Sequence, residues 1–165
     1  NAQMNYAQIN KFDIANGPGV RVSLFVSGCS IHCPGCFNQE TWDFNSGKPF
    51  KASVANDIFN SMNEHIAGIS ILGGEPLSER NGGAVTLLVT QFKKQFPDKT
   101  IWLWTGYDWD TVKDLQIIRY IDVCVAGPFD VTKRDLSLKW CGSSNQQVID
   151  VKKTKQTGKM VLYEE

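Results

Sequence analysis

The chain has no surplus of either charge: 17 Lys and Arg balance 17 Asp and Glu over 165 residues. The polybasic signature of non-specific nucleic-acid binding is missing, and so is an acidic tail. No apolar stretch approaches the length of a membrane span, and the N-terminus lacks the basic-then-apolar layout of a secretory signal. These absences set aside nucleic acid and membrane as partners and point to a cytoplasmic protein. Repeats at solenoid periods and low-complexity segments are lacking too. What remains is one globular domain, for which 42% hydrophobic residues suffice to build a core without crosslinks. That domain is expected over residues 4–151, with 152–165 a C-terminal extension of undetermined structure.

Cysteine usage also argues against crosslinking. The count is five, an odd number, and Cys29, Cys33 and Cys36 crowd into eight residues, too tight for a disulfide framework. Three thiolates at this spacing can grip one metal centre and leave a coordination position open, which favours chemistry over a structural staple.

The segments around this cluster alternate between strand and helix patterns. Residues 4–15, with Tyr6, Ile9, Phe12 and Ile14 among polar neighbours, read as an edge strand or an irregular lead-in, and Asn16-Gly17-Pro18-Gly19 is a turn by composition. Val20 to Ser27 has the β-branched and aromatic content of a buried strand, and the cysteine loop follows directly from its end. Ser53 is expected to cap a helix presenting Val54, Ile58, Phe59, Met62 and Ile66, stopped by Gly68. Ile69 to Leu72 is a short strand that opens into Gly73-Gly74-Glu75-Pro76. Helical spacing over 84–96 ends at Pro97, Thr100 to Thr105 forms the next strand, and Asp110 is positioned to cap a short helix. Ile121 to Ala126 and Val148 to Val151 complete the strands, and Met160 to Tyr163 is either a terminal strand or frayed. Strands alternating with helices predict a parallel sheet with right-handed crossovers. The chain is too short for an eight-stranded barrel, so the expected architecture is α/β, a short open partial (β/α) barrel with a mostly parallel curved sheet.

The C-x3-C-x2-C spacing at a strand end, with Gly73-Gly74-Glu75-Pro76 about forty residues later, resembles the signature of the radical S-adenosylmethionine (SAM) enzymes. Further matches in Asn16-Gly17-Pro18-Gly19-Val20-Arg21, Cys33-Pro34-Gly35-Cys36-Phe37-Asn38, Thr41-Trp42, Trp104-Thr105-Gly106-Tyr107 and Gly142-Ser143-Ser144-Asn145-Gln146 resemble the activating proteins of anaerobic ribonucleoside-triphosphate reductases. The resemblance implies a 4Fe-4S cluster on Cys29, Cys33 and Cys36, with one iron free to chelate SAM. It implies SAM contacts from Gly35, Cys36, Phe37, Gly73, Gly74, Glu75, Pro76 and Thr105, and no catalytic residue beyond the cluster and SAM. The partner it implies is the large subunit of the reductase, which would receive a glycyl radical, with an external one-electron donor such as flavodoxin. Cys141 stands where some family members carry arginine and Ala126 where an acidic residue is common, so neither position receives a role.

Rival readings remain open at the level of sequence. One is an activase for another glycyl radical enzyme of the formate-lyase type, or a radical SAM enzyme acting on a small molecule. Another is a non-catalytic iron-sulfur or zinc protein whose fourth ligand comes from His32, Cys124 or Cys141. Glu75 is expected either to brace its loop or to touch SAM. Cys124, in an apolar strand, reads as a core thiol, and Trp42, Trp109 and Trp140 read as core or docking-face aromatics.

Overall fold

A computed structural model describes residues 3–36, 39 and 42–165. The expectations attached to Phe37, Asn38 and Thr41 lie outside the described residues. The elements run β1 (Asn5–Asp13), β2 (Val20–Val26), β3 (Lys48–Pro49), α1 (Ala52–Asn60), β4 (Ile66–Gly73), α2 (Glu79–Gln95) and β5 (Thr100–Thr105). They continue through α3 (Trp109–Val112), a 3-10 turn at Gln116–Tyr120, β6 (Val123–Ala126), β7 (Gln147–Asp150) and α4 (Val151–Thr157).

Among the described residues the strands form one seven-stranded sheet in the order β3-β1-β2-β4-β5-β6-β7. The ladders β2–β4, β4–β5 and β5–β6 are parallel, whereas β1–β2, β1–β3 and β6–β7 are antiparallel. This mixed sheet overturns the expected mostly parallel partial barrel. The reason is in the connections. A parallel return needs a crossover of a dozen or more residues, usually helical, and α1, α2 and α3 supply such crossovers between the central strands only. The turn at Asn16–Gly19 folds β2 back on β1 as a hairpin, and β6 reaches β7 through a long loop without an α-helix.

Strand alternation divides the side chains between two faces. Val22, Leu24 and Val26 of β2, Ile69 and Ile71 of β4, and Ile101 and Leu103 of β5 join Ile58 and Phe59 of α1 and Val85, Leu88, Val89 and Phe92 of α2 in the main core. Trp102, Val123 and Val125 form a second cluster with Trp104, Trp140, Val148 and Tyr163 packed against it. The floor of this second side is a buried cation. Arg21 is fully buried, and its guanidinium donates to Ser70 Oγ at 2.8 Å, Thr100 Oγ1 at 2.9 Å, and the carbonyls of Ile69, Thr100 and Pro18. It thereby ties β2, β4 and β5 to the Asn16–Gly19 turn.

Several element boundaries differ from those predicted. β1 is hydrogen-bonded to strands on both sides rather than forming the edge. Ile66 and Gly68 belong to β4, not to the preceding helix, because Gly68 pairs in register with both Arg21 and Thr100. α1 starts without a side-chain cap, so Ser53 does not cap it. α2 begins at Glu79, well before residue 84, because the Ser78 side chain accepts from the Asn81 N–H. Asp108, not Asp110, occupies the cap position of α3. The C-terminal tail turns at Gly158, which is left-handed (φ 75°), and Leu162 bridges back to Ile149.

Candidate functional site

The four parallel strands β2, β4, β5 and β6 end on one rim, where ligands of open α/β sheets gather. Each strand there runs into a glycine-bearing loop. The β2 and β4 loops are stitched by backbone: the Gly74 N–H donates to the Val26 carbonyl at 2.9 Å, and the Glu75 N–H donates to the Gly28 carbonyl at 2.7 Å. Only glycine fits this approach. A Cβ on Gly74 would stand 2.4 Å from the Gly28 oxygen, and Gly73 sits at φ +110° with its Cβ direction blocked by the Val26 backbone.

Glu75 then joins this pair of loops to the β5 loop. Its side chain is buried (1% exposed), with Oε1 accepting from the Gly106 N–H at 2.7 Å and Oε2 accepting from Thr105 Oγ1 at 2.8 Å and the Leu77 N–H at 2.9 Å. Burial pushes its carboxyl up to about 7, although Gly106, Leu77 and Thr105 all donate to it. Of the two roles considered for Glu75, its side chain fills the bracing one. The β6 loop is added by the Gly127 N–H, which donates to the carbonyls of Thr105 and Tyr107.

Above this rim lies a cavity of about 460 Å³, within the range of small-molecule sites. Cys29, Cys33 and Cys36 line it together with Gly73, Gly74, Glu75 and Thr105. Its far wall carries Trp104, Leu138, Trp140 and Cys141, and no Lys or Arg lines it among the described residues. Burial raises the Cys29 and Cys33 thiols above the usual range, and the neighbouring Cys36 sulfur pushes both the same way. Metal binding there must therefore displace protons. Among the described residues no three His, Cys, Asp or Glu side chains are grouped tightly enough to hold a metal ion. A single zinc ion wants its thiolates about 2.3 Å from one centre, whereas an iron-sulfur cluster offers each thiolate its own iron. Cys29, Cys33 and Cys36 are the thiols of this cavity loop that could hold such a group.

Comparison with known proteins agrees with this chemistry. A family model described as a 4Fe-4S single cluster domain matches residues 15–149. An anaerobic ribonucleoside-triphosphate reductase-activating protein of Escherichia coli (strain K12) is 45% identical over 150 residues, covering 88% of this chain and 97% of that protein. Proteins of the same name from Vibrio cholerae and Enterobacteria phage T4 are 42% and 38% identical; each match covers 88% of this chain, and 97% and 93% of those proteins. The chain belongs to this activating-protein family.

Within the match to the 4Fe-4S single cluster domain lie the cysteine loop, the Gly73–Pro76 loop, Thr105 and the Gly142–Gln146 motif, while α4 and the tail fall beyond residue 149. The last of those motifs is architectural. Gln146 Oε1 accepts from the Gly142 and Ser143 N–H groups, and its Nε2 donates to the Gly127 carbonyl at 3.0 Å. Asn145 Nδ2 donates to the Pro128 carbonyl at 2.8 Å, so the motif closes the base of the loop that forms the cavity's far wall. Of the alternative fourth ligands, His32 is exposed and stacks on Trp42 with ring centroids 4.3 Å apart. Cys124 is fully buried in the main core, where burial pushes its thiol up to about 12. Cys141 alone of the three lines the cavity. Trp109 is buried in the core, whereas Trp140 is half-buried, packing on Trp102 and lining the cavity. Sequence reasoning missed Gln146 and Asn81 as site-shaping residues. Asn81 is fully buried at the start of α2, and a polar residue followed by two glycines in a helical stretch was the available signal.

No helix among the described residues is long and apolar enough to cross a membrane.

Proposed function

We propose that the protein is a SAM-dependent iron-sulfur activase that installs a glycyl radical on the large subunit of an anaerobic ribonucleoside-triphosphate reductase. The observation that carries this reading is the convergence of Cys29, Cys33, Cys36 and the Gly73–Pro76 loop on one cavity, in a chain whose relatives are named as activators of that reductase. Cys29, Cys33 and Cys36 would hold a 4Fe-4S cluster. When bound, cluster and SAM would supply one-electron cleavage of the sulfonium bond to methionine and a 5'-deoxyadenosyl radical, which takes a hydrogen atom from the target glycine. The electron would come from an external one-electron donor such as flavodoxin.

The chain's own residues supply position and exclusion. Gly35, Cys36 and Phe37 of the cysteine loop and Gly73, Gly74, Glu75, Pro76 and Thr105 of the rim are the proposed SAM contacts. Glu75 contributes there by holding the shape of its loop, since its side-chain oxygens, its N–H and its carbonyl all hold hydrogen bonds to neighbouring segments. The absence of Lys and Arg from the described cavity lining suits a cationic sulfonium. Trp104, Leu138 and Trp140 wall the cavity with apolar surface that keeps water from a reactive species.

The test has three readouts. Anaerobically reconstituted protein should carry about four irons per chain, and Cys36→Ala should abolish the cluster; normal iron in that variant would remove the ligand assignment. Reduced protein mixed with SAM should release methionine and 5'-deoxyadenosine, and failure with an intact reduced cluster would favour a non-catalytic carrier. After mixing with the reductase, electron paramagnetic resonance should show a glycyl doublet on that subunit. A doublet formed only on a formate-lyase-type partner would transfer the activity to that substrate.

A further inference from the structure

The parallel ladder between β2 and β4 ends at the pair Val26 and Gly73. Beyond it one chain enters the cysteine loop and the other the Gly73–Pro76 loop, joined by the Gly74 and Glu75 N–H groups, which donate to the Val26 and Gly28 carbonyls, and two further carbonyls face the start of α2. Those carbonyls, of Ser27 and Glu75, both accept from one side chain: Asn81 Nδ2 donates to Ser27 O at 2.9 Å and to Glu75 O at 3.1 Å. Asn81 is fully buried, and its backbone is held by the Ser78 cap, whose Oγ accepts from the Asn81 N–H at 3.2 Å. Its own Oδ1 is buried with no hydrogen-bond partner among the described residues. An apolar side chain of the same shape would avoid that stranded acceptor, so what the amide contributes is the two-carbonyl bridge. Arg80, the residue before it, reaches outward to Asn45 and over the Phe44 ring, and Phe44 packs against Gly28. The first turn of α2 thus reaches the start of the cysteine loop directly through Asn81 and indirectly through Arg80 and Phe44.

We infer that Asn81 is a positioning residue that, together with the backbone bonds from Gly74 and Glu75, sets the spacing between the cluster-holding loop and the Gly73–Pro76 loop, and hence the fit of SAM across them. The inference rests on the SAM-dependent function proposed above. SAM must touch both loops at once, and Ser27 stands two residues before Cys29, so a shift at this bridge moves a cluster ligand relative to the SAM-binding backbone. The cluster itself is held by one loop alone, and its assembly does not need the bridge.

The experiment compares wild type, Asn81→Ala and Val85→Ala, all reconstituted anaerobically. Val85 is a fully buried core residue one turn further along α2 and controls for lost helix packing. Iron content, thermal midpoint and SAM affinity by equilibrium dialysis are measured on the oxidised, non-turning-over protein, with the SAM-induced change in the paramagnetic resonance spectrum of the reduced cluster. Asn81→Ala should keep about four irons yet bind SAM about 10-fold or more weakly, as loss of a supporting hydrogen bond does at other metal sites, with a diminished spectral change. Val85→Ala should lower the thermal midpoint and leave SAM affinity within about twofold. Unchanged SAM affinity in Asn81→Ala, or an equal loss in Val85→Ala, would overturn the inference. Should Asn81→Ala fail to fold, Asn81→Ser, which keeps one short donor, is judged by the same comparison. Wild-type protein that fails to bind SAM would sink the proposed function itself, whereas wild-type binding unaltered by loss of Asn81 sinks this inference alone.

Discussion

Glu75 is a carboxylate held by hydrogen bonds, without an ion pair among the described residues, in a nearly water-free position. Its protonation should therefore register in stability. Burial raises its pKa from 4.5 to about 7 in the folded protein, so between these values the folded state binds more protons than the unfolded one. The associated stability is fully present below about pH 4.5 and is lost as pH rises through about 7, on the order of 3 kcal/mol at most. The cluster-free protein should lose thermal midpoint across that window, and Glu75→Gln should flatten the loss. A wild-type midpoint that stays level or climbs from pH 5 to 7 would contradict the sign. The presence of Glu75 on the rim was legible in the sequence, because a Gly-Gly-Glu-Pro run marks a loop. Which way its carboxylate turns was not, since the deciding donors lie at Thr105 and Gly106, on the next strand.

At the scale of elements, α2 carries more of the site than its amphipathic pattern indicates. Its apolar face, Val85, Leu88, Val89 and Phe92, fills the core, while its first turn supplies Ser78, Arg80 and Asn81 to the loops above. Ser78→Ala removes the cap that holds the Asn81 backbone, at a cost of about 1 kcal/mol. For a chain of this size that should lower the thermal midpoint by roughly 2–4 °C, measured by calorimetry. An unchanged midpoint would mean the cap contributes nothing. The helical spacing of the apolar face made the body of α2 readable. Its first turn was not, because Asn81, Gly82 and Gly83 lack helix propensity, and the cap together with tertiary bonds to Ser27 and Glu75 overrides that deficit.

For the whole molecule, a buried ion network joins distant parts of the chain. Asp122 at the start of β6 pairs with Lys93 of α2 at 2.8 Å and Lys152 of α4 at 2.9 Å, and accepts from the Ile101 N–H at 2.7 Å. Asp122→Ala would leave Lys93, only 16% exposed, without its carboxylate. Breaking such a pair costs about 3–5 kcal/mol, which urea unfolding of the cluster-free protein should register; a loss below about 1 kcal/mol would show that Lys93 relaxes to solvent. The tail closes the second face of the sheet in a similar way. Tyr163 packs edge-on against Trp102 with ring centroids 5.0 Å apart, and Glu165 pairs with Lys139 of the cavity-wall loop.

By itself the sequence determined the chemistry on offer. Thiol spacing and the Gly-Gly-Glu-Pro run are local properties and the charge balance is a property of composition, and both survive in a linear string. It also determined most of the strands and helices, because periodicity of apolar residues reports burial directly. Only the tertiary structure decided how the strands are paired, since direction depends on what each connection can span. A hairpin at Asn16–Gly19 and a helix-poor β6–β7 loop make the sheet mixed where alternating elements predicted a parallel one. It likewise decided that Cys141 faces the cysteine loop's cavity, that Cys124 does not, and that Asn81 bridges the two loops. Contacts between residues far apart in the chain follow from packing, and no residue carries them in its own neighbourhood.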